Sequence, residues 1–527
     1  RGKGAGEEEA GSTVYVGAAG GITGVNSGTI TNVHASDTVI ASEGDAKEYD
    51  SDKTYMTVAG GVAGINKADS DTAMGMIGAW DTNVPAGVLS TSAVITDTSV
   101  ETSTIMHGLG GIAGINESAI YNVAAFGATN GSYGAKGAST NEYVGGIMGV
   151  NYSPYVYGAY NESTVTGASN VGGIAGKNDI RKDFAGTIFS DGGQLNYVAN
   201  AGSVTSIADL ITTDDSKKSS YVGGIIGSNY GVINRGRNTG TVTGVNYVGG
   251  IAGFNASGAE MTNISNAIAA EISGENYVGG IVGTNAGEIT GDMNLVNEGK
   301  VKGNQYVGGV AGENQAGGVI ENVNTSINLD VSGTGAKYFG GVTGTNSGTI
   351  TNAHNTGDVS ASEAEYVGGI TGVNAENAVL ENAGNSGNVF GYSHVGGVAA
   401  VNKSSHDGGK ITNSGTVTAK NGGAAGIFYE NEAGLNNVEL VNTGSVSGKS
   451  DDHGTGGVIG VNNGNITNSK LLNNGSVSGN NNTGGLIGVN SGTISGSTLA
   501  NTGYVNAGSG ENVGGLIGKN TGSVIGG

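Results

Sequence analysis

One phrase recurs sixteen times along this chain and limits what it can fold into. The phrase is Val-Gly-Gly-Ile-x-Gly-x-Asn, with small changes, and its second glycine runs from Gly21 to Gly515. Early steps are uneven, at 40, 50, 35, 27 and 51 residues, but the ten steps from Gly224 to Gly515 average about 29. A fixed period in this range calls for stacked repeats before any ordinary globular fold.

Each unit holds three short segments. In the tenth, Tyr338 to Asn346 is followed by Gly348-Thr-Ile-Thr-Asn352 and then Asn355-Thr-Gly-Asp-Val-Ser360. Ile350 and Val359 are flanked by small polar residues, which is the alternation of a strand with one apolar face. Asn-Thr-Gly and Asn-Ser-Gly between segments read as turns. The same offsets place Ile225, Ile233 and Val242 at inward positions of one unit. No window offers the 3.6-residue period and caps of a helix. The expected fold is therefore all-β: a three-sheet parallel β-solenoid of about 16 coils, with the recurring phrase as the first strand. One coil buries three or four aliphatic anchors at about 2 kcal/mol each, while ordering about 29 residues costs on the order of 1–2 kcal/mol per residue. A lone coil cannot fold, so the coils must be contiguous.

The long steps set the domain organisation. The reading is a single solenoid over 1–527 with an N-terminal tail at 1–14, loop insertions at 40–57, 67–107 and 179–220, and the most regular repeats at 221–527. The second insertion holds Met74, Met76, Ile77 and the single Trp80. These read as a flap packed on the coils, with ligand contact by Trp80 as the alternative.

Three recurrent positions stand out. Every phrase ends in Asn, including Asn229, Asn255, Asn285, Asn314, Asn346 and Asn374. An Asn amide can bond turn backbone or its counterpart one coil away, so these form a structural ladder at an inward corner; sugar recognition is the alternative. A ring precedes the phrase at Tyr221, Tyr247, Tyr277, Tyr306, Tyr338 and Tyr366. Coil spacing of about 4.8 Å suits ring stacking, and solvent-facing rings would instead suit a carbohydrate platform. The residue after the Ile anchor, from Thr23 to Ile517, is never charged. Beside an inward Ile it should point out and be polar, so either a flattened coil or a partner covers it.

Composition closes off several functions. With 44 acidic against 22 basic residues the formal charge is -22, the opposite of a nucleic-acid surface. No run of about 18 apolar residues exists to span a membrane as a helix. The chain has no cysteine, so it has neither a disulfide scaffold nor a thiol nucleophile. Six histidines are scattered and form no zinc or triad motif, and the acidic loops lack a calcium-loop spacing. The reading is a non-enzyme with no cofactor and no metal.

Gly485-Leu-Ile-Gly488, Gly515-Leu-Ile-Gly518, Gly146-Ile-Met-Gly149 and Gly224-Ile-Ile-Gly227 resemble the repeat of the GLUG family. That family comprises large bacterial surface proteins, among them adhesins and the non-catalytic part of some immunoglobulin A proteases. The family's proteases carry a zinc motif beyond their repeats that this sequence does not match. The resemblance implies a secreted or surface-anchored bacterial protein. Its expected role is an extracellular structural rod of an adhesin, contacting host, matrix or neighbouring-cell ligands. The alternatives are a self-assembling filament or surface-layer subunit, and a glycan-binding or glycan-cleaving β-helix module. Expected partners are other surface proteins, glycans or copies of itself, and not nucleic acid.

Overall fold

The computed structural model describes residues 13–31, 33–36, 38–41, 54–70, 73–79, 89–91, 94–97, 105–130, 142–180, 192–207, 220–267, 269–291, 296–297, 299–326, 329–331, 335–449, 454–508 and 510–526. These residues contain no helix; regular structure is strand throughout, almost all of it parallel and in register. The chain divides into two compact units, Arg1–Val245 and Asn246–Gly527. Each is a parallel β-solenoid, as the repeat predicts.

A coil of the second unit shows the plan. Ala252–Asn255 belongs to a first sheet and pairs with Val282–Asn285, Ala252 opposite Val282 and Asn255 opposite Asn285. Thr349–Asn355 is a second-sheet strand, lying on Val319–Thr325 with Ile350 opposite Ile320. The third sheet takes two rows from every coil. Val359–Gly368 runs through both, its start on Val389 and its end on Val395 and Gly396. In the first unit Ile225, Ile233 and Val242 are all fully buried, and the strands around them pair in parallel with those one coil back.

The recurring phrase is not one strand, which corrects the sequence reading. Asn246–Gly249 lies in the third sheet and Ala252–Asn255 in the first, with the chain turning at Gly250 and Ile251. Both amides after the turn, Ile251 N–H and Ala252 N–H, donate to the Ile281 carbonyl of the next coil at 2.8 and 2.9 Å. A Cβ on Gly249 would collide with the Ala252 carbonyl, and one on Gly250 with the Gly280 carbonyl. Glycine fits both places of this corner, and Ala425 takes the first of them in one coil.

The corner also explains the uncharged stripe. At a bend two successive side chains can both face inward, where a straight strand would alternate. From Ala63 to Ile487 every stripe residue is fully buried, beside an equally buried anchor such as Ile251 or Ile281. Two buried threonines of the stripe are linked, Thr343 Oγ1 donating to Thr371 Oγ1 at 3.0 Å and Thr371 to the Val373 carbonyl. Of the two covers expected for the stripe, the coil supplies its own.

Part of the second expected insertion is coil. Met76–Gly78 pairs in parallel with Thr29–Ile30 and Ala119–Ala125, and Leu89–Thr91 and Val94–Asp97 fill second- and third-sheet places. Ile77 is a core residue and not part of a flap. The apolar run there reads equally as flap or strand by composition, and register decides it. Trp80 lies outside the described residues.

Candidate functional site

The phrase-ending asparagines form hydrogen-bonded columns. In the first unit Asn26, Asn66, Asn116, Asn151, Asn178 and Asn229 are linked in order, each Nδ2 donating to the next Oδ1 at 2.9 Å. In the second unit Asn255, Asn285, Asn314, Asn346 and Asn374 continue the pattern through to Asn520. The remaining amide proton serves the turn: Asn285 Nδ2 donates to the Gly287 carbonyl at 3.0 Å, while Gly348 N–H donates to Asn346 Oδ1. Buried amides without partners would cost free energy; here the side chain supplies both the coil-to-coil bond and the turn bond.

A second column escaped the sequence reading. Asn161, Asn200 and Asn238 in the first unit, and Asn355, Asn385, Asn413, Asn442, Asn473 and Asn501 in the second, donate one to the next at 2.7–2.9 Å. Six of these nine are asparagines of Asn-Thr-Gly or Asn-Ser-Gly, taken for turn residues alone; Asn161, Asn200 and Asn473 stand in Asn-Glu-Ser, Asn-Ala-Gly and Asn-Asn-Gly. They do close turns, Asn355 Nδ2 reaching the Gly357 carbonyl and Gly357 N–H reaching Asn355 Oδ1. The available signal was the recurrence of Asn at one offset in successive units, followed two residues on by Gly in every member of this column but Asn161. The second column also explains the paired glycines further: a Cβ on Gly341 would strike the Asn355 amide, and one on Gly457 the Asn473 amide.

The rings before the phrase stack in the second unit. Tyr247, Tyr277, Tyr306, Tyr338, Tyr366 and His394 lie with successive centroids 4.9, 4.6, 5.0, 5.3 and 4.7 Å apart, and Tyr429 closes the row edge-on. Tyr221 lies in the first unit, half-buried and opposite Asn170. The five stacked tyrosines sit at φ of 53–65°, a left-handed region costly for a bulky residue. Asn482 and Asn512 take the same place at lower cost. That backbone turn leaves the rings half-buried, with burial first and the Glu313 carboxylate second pushing the Tyr277 phenol up to about 12. In the first unit the same row caps the outer face of the first sheet, with Val58 and Tyr143 packed on Ile65, Ile115 and Val150. Rings whose faces cover one another present edges outward, so this row is a cap more than a stacking platform.

Lys177 is the charged member of that outer face. Its Nζ meets Asp179 at 2.7 Å and lies over the rings of Tyr143 and Tyr230, 5.6 and 4.9 Å from their centroids. Among the described residues no three His, Cys, Asp or Glu side chains gather as metal ligands, and no helix is long and apolar enough to cross a membrane. No protein-family model, curated protein or solved structure matches this chain.

Proposed function

We propose that the protein is an extracellular structural element of a bacterial surface adhesin that presents contact surfaces to host, matrix or neighbouring-cell ligands without catalysis. The observation that carries the reading is the division of labour within a coil. Recurrent residues, both Asn columns and the corner glycines, face inward and bond coil to coil, so outward positions are free to differ from repeat to repeat. A scaffold of this kind suits presentation, and the GLUG-like phrase agrees with a secreted or surface location.

Display of the chain on a non-adherent bacterium tests it. The expected result is increased attachment to host cells or matrix-coated plates, with the purified protein monodisperse in electron micrographs. Continuous filaments from purified protein would replace the reading with that of a self-assembling subunit. Attachment no higher than the empty display strain would overturn it.

A further inference from the structure

The outer face of the second sheet in the first unit gathers aromatic rings. Ala119–Ala125, Val156–Asn161 and Gln194–Asn200 stack in parallel, and Val232–Asn238 lies on the last of them. Phe126, Tyr160 and Tyr197 on this face are 49, 36 and 42 % exposed. Tyr157 and Tyr197 lie 4.6 Å apart, with the Arg235 guanidinium 4.6 Å from the Tyr197 ring on the next coil. Phe126 meets Tyr160 edge-on at 6.4 Å, and Tyr160 donates to the Glu162 carboxylate at 3.2 Å. Arg237, exposed on the same strand as Arg235, has no ion pair among the described residues. The chain has four arginines in all, so half of them stand on this one face.

Backbone conformation adds an independent observation. Tyr197 and Arg235 occupy φ of 53° and 60°, in a row whose preceding members are Asn122 and Gly158. Asn or Gly holds that conformation more cheaply than Tyr or Arg. Folding thus carries a bulky ring and a cation at a place where neither helps the backbone.

We infer that this face binds an acidic polysaccharide in which carboxylate sugars alternate with uncharged ones. Phenol rings offer apolar area to pyranose C–H faces and hydroxyls to their hydrogen-bonding groups. Guanidinium groups match carboxylates in a planar, two-point geometry. A polymer with a charge on every unit, such as nucleic acid, needs many cations and would be repelled by a chain of net charge -22. The inference rests on the adhesin reading and gives it a ligand class.

The test uses the full chain with immobilised hyaluronan and unsulfated chondroitin, which alternate a uronate with an uncharged amino sugar, against dextran and single-stranded oligothymidine. Both uronate polymers should bind and the two controls should not. Arg235→Gln with Arg237→Gln should weaken binding about tenfold or more and remove most of its salt dependence. Tyr157→Ala with Tyr197→Ala should weaken it at every salt concentration. The arginines are exposed, so their double variant should keep the parent's melting midpoint, which makes a loss of binding interpretable. Lack of uronate binding, binding undiminished in both double variants, equal binding of dextran, or tighter binding of oligothymidine overturns the inference. Cell attachment without uronate binding sinks this inference alone, and uronate binding without attachment sinks the adhesin reading alone.

Discussion

The two units build the same coil from repeats of different regularity. In the first, consecutive phrases stand up to 51 residues apart; in the second, from Gly250 onward, the steps stay between 28 and 32. The extra length does not fall at random. Much of it lies between the two third-sheet rows of a coil, as between Thr38–Ala41 and Thr54–Gly60, Ala128–Asn130 and Glu142–Gly145, or Val204–Ser206 and Tyr221–Gly223. In the second unit the same junction can be absent, Val359–Gly368 running through it as one strand. This junction holds neither an Asn column nor the Gly-Gly corner, so lengthening it leaves both intact. The column following Asn178 tolerates an insertion too, before Gln194, because Asn178 reaches the Gly193 carbonyl and so closes the turn at its far end.

The sharpest way to break this comparison is to insert ten Gly/Ser residues at two places in the second unit. Between Ser362 and Glu363 the insertion should cost about 1–2 kcal/mol, the scale of closing a longer loop. Between Gly341 and Val342 it should abolish cooperative unfolding of that unit in urea, because the corner amides lose their shared carbonyl. Equal costs at the two sites would show that the junction is not special.

Charging the self-covered stripe comes next. Val282→Lys puts an unpaired ammonium against Ile281 and Ala252 and should lose about 3–5 kcal/mol. The association state should not change, since the coil itself covers the stripe. A folded variant that aggregates differently from the parent in sedimentation would return the stripe to an intermolecular role.

Acid should weaken the second unit through His406. Its ring is buried against Phe428, with Nε2 3.1 Å from Asn402 Oδ1. Burial lowers its pKa from the ordinary 6.5 to about 4, against the opposing pull of a hydrogen bond to the Leu380 backbone. The fold therefore holds the neutral ring, and the unfolded chain takes the proton first. That contribution is intact above pH 6.5 and is lost as pH falls toward 4, on the order of 3 kcal/mol across the window. His406→Leu matches the next three members of its row, Leu435, Ile466 and Ile494. Its denaturation midpoint should lose this part of the pH slope; an unchanged slope would place the proton elsewhere.

Within the Asn column, Asn285→Ala should cost about 1–3 kcal/mol, by orphaning the Asn255 amide, the Asn314 carbonyl oxygen and the Gly287 carbonyl together. An unaltered midpoint would sink the column as a source of stability. The smallest effect is expected at the ring row. Tyr306→Asn loses two stacked contacts of about 0.5–1.5 kcal/mol each but relieves a left-handed tyrosine. A net change beyond about 2 kcal/mol would mean that the cap over the first sheet matters more than the rings' own stacking.

Much of this was legible without coordinates because it repeats. Period fixed the coil, alternation fixed Ile233 and Val242 as inward residues, and the unbroken series from Asn26 to Asn520 marked a ladder. The corner within the phrase was not legible, because glycine pairs mark a close approach or a turn without saying which. Nor was the Asn355 column, since Asn-x-Gly has the composition of a turn whether or not its amide is buried. Met76–Gly78 carried too short an apolar run for its sheet to be assigned.

Sequence by itself determined the parallel solenoid, since sixteen copies of a unit too small to fold alone have to bury themselves on one another. It also determined which residues recur, because equivalent places in successive coils impose equivalent demands. Tertiary structure alone decided which way those residues face. Two consecutive side chains, Ile251 and Ala252, point inward only because two amides converge on the Ile281 carbonyl and bend the chain there. The aromatic face of the first unit was likewise invisible in the sequence: Phe126 and Tyr160, and Tyr157, Tyr197 and Arg235, are far apart along the chain and become neighbours only through the parallel register.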